Sequence, residues 1–270
     1  MQPSGRNPSS RQVHRQLIDV SELLAIEPVN DRLYDVIPLG GKPIPDKPAL
    51  SIVIPFAAHE TAHLQALCSY FPTPPLANEC IFVARNSSPA GERLARSFAT
   101  QRPSQLIRCL CPYTFHQAAD LGIRQAQGDV VAVVHPSLRF VRETIGKLAE
   151  QTRHSPLVSC PLVEQTSGKT TIYACGLSWC WTRLRFLRNG SQTWEGHLLP
   201  RALPAAKMAE RPVDILHGML MVFRRELYQQ LGGFSWQYPD DDLVAEDWLL
   251  TVREQGIIHQ IDYTVHVVRK

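Results

Sequence analysis

The sequence lacks the patterns that mark several large classes of protein. Its seven cysteines contain no CxxC pair, which argues against a zinc knuckle and a disulfide framework and favours reduced thiols in a cytoplasmic protein. No apolar run approaches the roughly 20 residues that cross a membrane, and the N-terminus has no apolar signal segment. GxGxxG and GxxxxGK[ST] are also absent, so an unrelated nucleotide-binding α/β protein is disfavoured.

A strong charge imbalance is also missing. The chain has 28 Lys and Arg against 25 Asp and Glu, a net charge of +3. This balance is too weak to predict nucleic-acid binding. A phosphate-bearing small molecule needs only one local basic or amide-lined pocket, so this class of ligand is compatible with the charge. A peripheral contact with a membrane surface is compatible with it as well.

Composition divides the chain into two parts. Residues 1–48 are rich in Pro, Ser, Arg and Gln and end in a run of prolines and glycines, which predicts a flexible N-terminal arm. Residues 49–270 carry regular apolar patterns. They predict one folded domain.

The first half of this domain alternates apolar strands with amphipathic helices in the order β-α-β-α-β-α-β. The predicted strands are "LSIVIPF", "ECIFVARNSS", "QLIRCLCP" and "DVVAVVHP". Fully apolar strands joined by helices favour a mostly parallel sheet with helices on both faces. Because ligands bind beyond the carboxyl ends of such strands, the loops after residues 55, 84 and 135 are expected to form a site.

The later chain adds a more specific combination of motifs. "DILHGMLMVFRRELYQQLGGF" is followed by "EDWLLTVREQG" and then "YTVH". Together with the earlier strands, this order resembles the inverting GT-A-fold glycosyltransferases of family two, especially the rhamnosyltransferase-like branch. The resemblance implies a single-domain α/β GT-A-like fold and a hexosyltransferase of polysaccharide biosynthesis. It also implies a nucleotide-sugar donor and a glycan or lipid-linked acceptor.

By this resemblance, Asp247 is the candidate general base and Glu246 orients it or the acceptor. Inverting transfer is a single displacement, so a carboxylate must take the proton of the acceptor hydroxyl. The competing structural interpretation is that two acids simply favour the N-terminal turn of a helix. Trp236 and Trp248 flank this region and could stack on a sugar, or be buried in the core.

The resemblance places the nucleotide donor on the loops at the strand ends. The candidate donor-site residues are Pro55, Phe56, Ala57, Ala84, Arg85, Asn86, Asp120 and Ser137. Two of them depart from the family pattern. Ala84 stands where an Asp usually receives the base, and Ser137 stands where an Asp usually binds the metal.

Three interpretations follow from the missing carboxylate. By the resemblance, His266 matches the histidine that completes the metal shell in relatives, so His135 and His266 could bind a softer cation such as Mn²⁺ or Zn²⁺, with Mn²⁺ favoured over Mg²⁺. Alternatively, transfer could be metal-independent, with Arg139 or the Arg224–Arg225 pair carrying the charge of the leaving group. Third, activity could be lost, leaving a binding or scaffolding partner in polysaccharide assembly.

Overall fold

The structure is a computed structural model that describes residues 34–71, 78–140, 143–155, 157–167, 169–174, 216, 218–238 and 241–269. Ten strands lie in these ranges: β1 (Tyr34–Pro38), β2 (Leu50–Phe56), β3 (Asn78–Ala84), β4 (Ser104–Cys109), β5 (Val130–Val134), β6 (Leu138–Phe140), β7 (Leu157–Ser167), β8 (Lys169–Ala174), β9 (Leu220–Arg224) and β10 (Ile258–Arg269). The α-helices are α1 (Thr61–Tyr70), α2 (Pro89–Ala99), α3 (Phe115–Gln125), α4 (Thr144–His154), α5 (Arg225–Gln230) and α6 (Asp241–Glu254).

One mixed sheet organises the chain, in the order β1-β4-β3-β2-β5-β9-β7-β10-β6, with β8 paired to β7. Strands β4, β3, β2 and β5 are parallel neighbours. This half matches the predicted β-α-β order, because each parallel pairing needs a helix to return the chain. Strand β9 then runs antiparallel to β5 and to β7.

Helices cover both faces of the sheet, as the sequence predicts. One core cluster joins α3 and α6 to one face, and the other joins α1, α2 and α4 to the opposite face. Strands β2 and β5 are buried along their whole length, which explains their continuous apolar composition. The expected fold class is therefore confirmed.

Local signals start the helices that bring residues to the strand ends. Ser88 caps α2 by accepting from the Gly91 N–H, with Pro89 at the first helical position. Thr114 and Gln117 form a reciprocal capping box at the start of α3. As a result, Phe115 and His116 are held at the first turn of α3.

The predicted arm over residues 1–48 needs a correction. Residues 34–38 form β1, which pairs antiparallel with β4 from Tyr34 opposite Cys109 to Pro38 opposite Gln105. Leu39 is buried, and the Lys42 N–H donates to the Ala99 carbonyl. This part of the segment belongs to the domain because its backbone completes the sheet edge. Residues 1–33 lie outside the described residues.

Among the helices that the structure describes, none combines the length and apolar character needed to traverse a bilayer.

Candidate functional site

The loops that follow β2 and β3 meet at one edge of the sheet. The Arg85 N–H donates to the Phe56 carbonyl over 2.9 Å, and the Ala58 N–H donates to the Asn86 carbonyl over 3.3 Å. Asn86 has a left-handed backbone, with φ of 48°, a conformation that asparagine tolerates better than most residues. These contacts bring two of the predicted donor loops together.

A buried carboxylate, Glu60, joins these loops to the loop after β5. Its Oε2 accepts from the Ala57 N–H over 2.8 Å and from Arg85 Nη2 over 3.3 Å. Its Oε1 lies 3.3 Å from His135 Nε2. The Glu60 side chain is 5% exposed, against 15% for Arg85 and 23% for His135, so the acid is shielded while its partners reach the surface.

Ser137 fixes the orientation of the His135 ring. The Ser137 N–H donates to His135 Nδ1 over 3.2 Å, and the Ser137 hydroxyl lies 2.8 Å from the same atom. Because Nδ1 accepts a backbone hydrogen bond, the ring proton belongs on Nε2, where it faces Glu60. Ser137 therefore acts in this structure as an orienting residue for the imidazole.

The Phe115 ring supports both partners of Glu60. The His135 ring lies 5.0 Å from it, centroid to centroid, and the Arg85 guanidinium carbon lies 5.8 Å from its centroid. The attraction of a cation to an aromatic face favours this position for Arg85. We call Glu60, Arg85, Phe115 and His135 the strand-end cluster.

Short contacts connect the strand-end cluster to helix α6. The His135 N–H donates to the Met219 carbonyl over 2.8 Å, and His116 Nε2 lies 3.3 Å from the carbonyl of the preceding residue, Gly218. A Cβ on Gly218 would lie 2.6 Å from His116 Nε2 and 3.2 Å from the Ala245 Cβ. Glycine at this position therefore lets α3 and α6 approach the segment that leads into β9, which puts Ala245 of α6 close to the strand end that carries His135.

The acidic pair lies in the second turn of α6, because the helix begins at Asp241. The interpretation that these acids mark an N-terminal turn is therefore wrong. Glu246 is buried, whereas Asp247 is half-buried and its Oδ1 accepts from the Tyr238 hydroxyl over 3.3 Å. The Asp247 carboxylate raises the pKa of Tyr238 above its ordinary value, so the phenol keeps its proton and donates it.

Asp120 anchors the segment that leads to Tyr238. Its Oδ1 accepts from the buried Tyr228 hydroxyl over 2.8 Å, and its Oδ2 accepts from Trp236 Nε1 and Arg124 Nε, each over 2.8 Å. The Tyr228 hydroxyl in turn accepts from the Phe234 N–H over 2.8 Å. Asp120 is 1% exposed. It therefore holds the chain between α5 and α6 in place.

The Gly-Gly-Phe motif makes this turn possible. Gly232 and Gly233 have φ of +81° and +76°, a region open to glycine. A Cβ on Gly233 would approach the Tyr228 ring to 2.9 Å. The motif thus wraps the chain closely around Tyr228.

Several other residues that the sequence predicts for the site lie in strands or in the core. Pro55 and Phe56 are buried in β2, and Ala84 is buried at the end of β3, paired with Phe56. Trp248 is 1% exposed and packs against Phe223 in the core. The His266 backbone is paired with Leu162 in the sheet, and its side chain lies outside the described residues.

The suggestion that Arg224 and Arg225 serve the donor site needs a correction. Arg224 pairs with Val130, which begins β5, and therefore lies at the opposite end of the strands from His135. Its guanidinium donates to the carbonyls of Thr152 and Arg153 at the end of α4, a favourable place for a cation. Both arginines line a separate cavity of about 340 Å³.

The donor atoms around His135 do not fit a divalent cation. Its Nδ1 accepts from Ser137, its Nε2 proton faces Glu60, and the Glu60 carboxylate is already bonded to a guanidinium. A cation would have to displace the His135 Nε2 proton from Glu60 Oε1, or Arg85 and the Ala57 N–H from Oε2, to bind this carboxylate. Within the described ranges, no group of three or more His, Cys, Asp or Glu side chains is arranged to hold a metal.

Sequence reasoning did not identify Glu60, Phe115 or Tyr238. Their functional signal is weak, because an acid before a helix, a phenylalanine and a tyrosine are common in any fold. The position of Glu60 in the loop after β2 was the available clue. Tyr238, two residues after Trp236, had none.

The fold is that of the GT-A glycosyltransferases, by comparison with solved structures. One is the mannosyltransferase PcManGT from Pyrobaculum calidifontis, solved in complex with GDP-Man and Mn²⁺. Its TM-score is 0.55 at 16% identity, and the match covers 86% of this chain and 60% of that one. A second is GalNAc-T7 with UDP, GalNAc and Mn²⁺, with a TM-score of 0.59, 16% identity and coverage of 83% and 44%.

A third is S. aureus TarS 1–349 in complex with UDP-GlcNAc, with a TM-score of 0.55, 11% identity and coverage of 82% and 58%. This chain thus spans about half of each of these proteins' chains. No protein-family model matches the sequence. No curated protein matches it either.

Proposed function

We propose that this protein transfers a sugar from a nucleotide-sugar donor to a glycan or lipid-linked acceptor, with inversion at the anomeric carbon, as in family two and its rhamnosyltransferase-like branch. The observation that carries the proposal is the packing of α6 beside the strand ends. The loops after β2, β3 and β5 converge there on Glu60. Helix α6 meets Gly218 through Ala245, two residues before the half-buried Asp247 carboxylate, which Tyr238 holds.

In this mechanism Asp247 is the general base. Its carboxylate takes the proton from the acceptor hydroxyl as the oxygen bonds to the anomeric carbon. The bond between that carbon and the diphosphate oxygen breaks at the same time, and its electron pair leaves with the diphosphate. Glu246 orients the acceptor or Asp247, and Tyr238 restricts the carboxylate to one position.

A nucleoside diphosphate panel tests the donor half of this proposal. At a ligand concentration of 100 times its Kd, binding stabilises the folded state by about 2.7 kcal/mol, which raises the Tm of a chain of this size by roughly 5–10 °C. We expect one of UDP, GDP, dTDP, ADP and CDP to produce this shift, measured by differential scanning fluorimetry. The matching nucleoside, which lacks phosphates, is the control.

The second candidate is a catalytically inactive binding or scaffolding partner in polysaccharide assembly. It is favoured by the apolar Ala84, which is 1% exposed at the end of β3, and by the neutral Ser137. A flat response to every nucleoside diphosphate would favour this candidate over the transferase.

Tyr238 offers a milder test of the acceptor half. We expect Tyr238→Phe to lower kcat by about tenfold, because one hydrogen bond to a charged group is lost. The nucleotide Kd and the Tm should stay unchanged, since the ring remains. Tyr34→Phe is the control, because its hydroxyl, on the edge strand β1, accepts from Gln125 at the end of α3. An unchanged kcat in Tyr238→Phe would argue against a positioning role for Tyr238.

A further inference from the structure

The guanidinium of Arg85 is positioned as an anion-binding group. It follows β3 directly, at the sheet edge where ligands bind in open α/β folds. Glu60 contacts it through Nη2, and the Phe115 ring lies beneath its carbon at 5.8 Å. Two contacts on different sides therefore fix the plane of the group.

One N–H group of the Arg85 guanidinium also has no acceptor within the described residues. This group is the Nε–H, and its nitrogen is buried. A buried donor without an acceptor destabilises the protein unless a ligand supplies one. The planar fork of a guanidinium matches the oxygens of a phosphate.

His135 adds a second donor beside Arg85. It reaches the surface more than Arg85 does and shares both Glu60 and the Phe115 ring with it. Because both side chains contact Glu60 and the Phe115 ring, the two donors lie at the same place beside the strand ends.

We propose that Arg85 binds the diphosphate of the donor directly and that nucleotide binding at this site does not require a divalent cation. The inference rests on the proposed function. It separates this chain from PcManGT and GalNAc-T7, whose structures contain Mn²⁺. The supporting contact is the Arg85–Glu60 pair, since a guanidinium bonded to this carboxylate opposes a metal ion in the same place.

Isothermal titration calorimetry with the nucleoside diphosphate from the panel tests the inference on the full chain. We expect the same Kd, within about twofold, in 1 mM EDTA and in 1 mM Mn²⁺. We expect Arg85→Gln to weaken binding by about 10- to 100-fold, the effect of losing charge-assisted hydrogen bonds. Arg85→Lys keeps the charge without the fork and should be intermediate.

Arg102→Gln is the matched control. Arg102 also lies over phenylalanine rings, 5.3 Å from Phe71 and 5.2 Å from Phe98, but it precedes β4 at the other end of the strands. Its replacement should leave the Kd unchanged. Circular dichroism of each variant checks that the fold is retained.

The outcomes separate this inference from the proposed function. Binding that needs Mn²⁺, or that Arg85→Gln leaves unchanged in a folded protein, would overturn the inference and leave sugar transfer standing. Wild-type protein that binds no nucleoside diphosphate in either buffer would overturn both. Should Arg85→Gln fail to fold, the comparison of EDTA with Mn²⁺ on the wild-type protein still decides the question of the cation.

Discussion

Replacing Asp247 with asparagine is expected to lower kcat by about 10²- to 10⁴-fold, the usual contribution of a general base. The amide keeps the size of the side chain and can still accept from Tyr238, but it cannot take a proton from the acceptor. The rate is measured as release of the nucleoside diphosphate that the panel identifies, from a set of its sugar conjugates. The nucleotide Kd should remain the same, because Asp247 serves the acceptor.

Glu254→Gln is the matched control for this variant. Glu254 is an exposed acid at the end of the same helix, α6, so its replacement removes one charge without touching the site. If Asp247→Asn kept its rate while Glu246→Gln lost it, the base would be Glu246. Full activity in both variants would falsify the proposed mechanism.

The second large effect concerns stability. We expect Asp120→Ala to lower the free energy of unfolding by about 3–5 kcal/mol, because it leaves the buried Tyr228 hydroxyl and Trp236 Nε1 without their acceptor. The bond to Arg124 contributes little of this, since that side chain is 52% exposed. For a chain of this size the Tm should fall by roughly 10 °C.

Thermal and urea unfolding measure this change. Asp120→Asn retains one oxygen and should lose less stability. Asp129→Ala removes an exposed acid just before β5 and should stay within about 0.5 kcal/mol of the wild type. A stable Asp120→Ala protein that no longer binds nucleotide would instead support the donor-site role expected from the sequence.

The parallel half of the sheet was predictable because its strands are buried on both faces. Such strands are apolar throughout, as in "VVAVV" of β5, and the helices between them keep their 3.6-residue period. Strand β1 was not predictable, because "YDVIP" has a half-exposed edge pattern. Its pairing with β4 depends on backbone hydrogen bonds, which the side-chain pattern does not predict.

The candidate site was predictable only in part. The sequence identified the loops after β2, β3 and β5, and it identified the unusual residues Ala84 and Ser137. It did not predict that Glu60 would connect Arg85 with His135, because three loops far apart in sequence meet there. Long-range pairs of this kind follow from the strand order.

Strand direction explains the error at Arg224. In a fully parallel sheet, the end of this strand would lie beside His135. Strand β9 is antiparallel to β5, so its first residue, Leu220, pairs with Val134 and its last pairs with Val130. The direction of a strand depends on how the preceding segment returns to the sheet, and an apolar run alone does not predict that direction.

The short strand β9 also acts as a spacer between the two halves of the proposed reaction centre. On one side β9 pairs with β5, whose last residue precedes the loop of His135. Just before β9 begins, Gly218 packs against Ala245 on the helix that bears Asp247. Sliding β9 by one residue would exchange its two faces and shift that glycine by about 3.3 Å. The spacing between the His135 loop and the helix that bears Asp247 therefore depends on five consecutive residues, Leu220–Arg224, whose side chains lie almost entirely in the core.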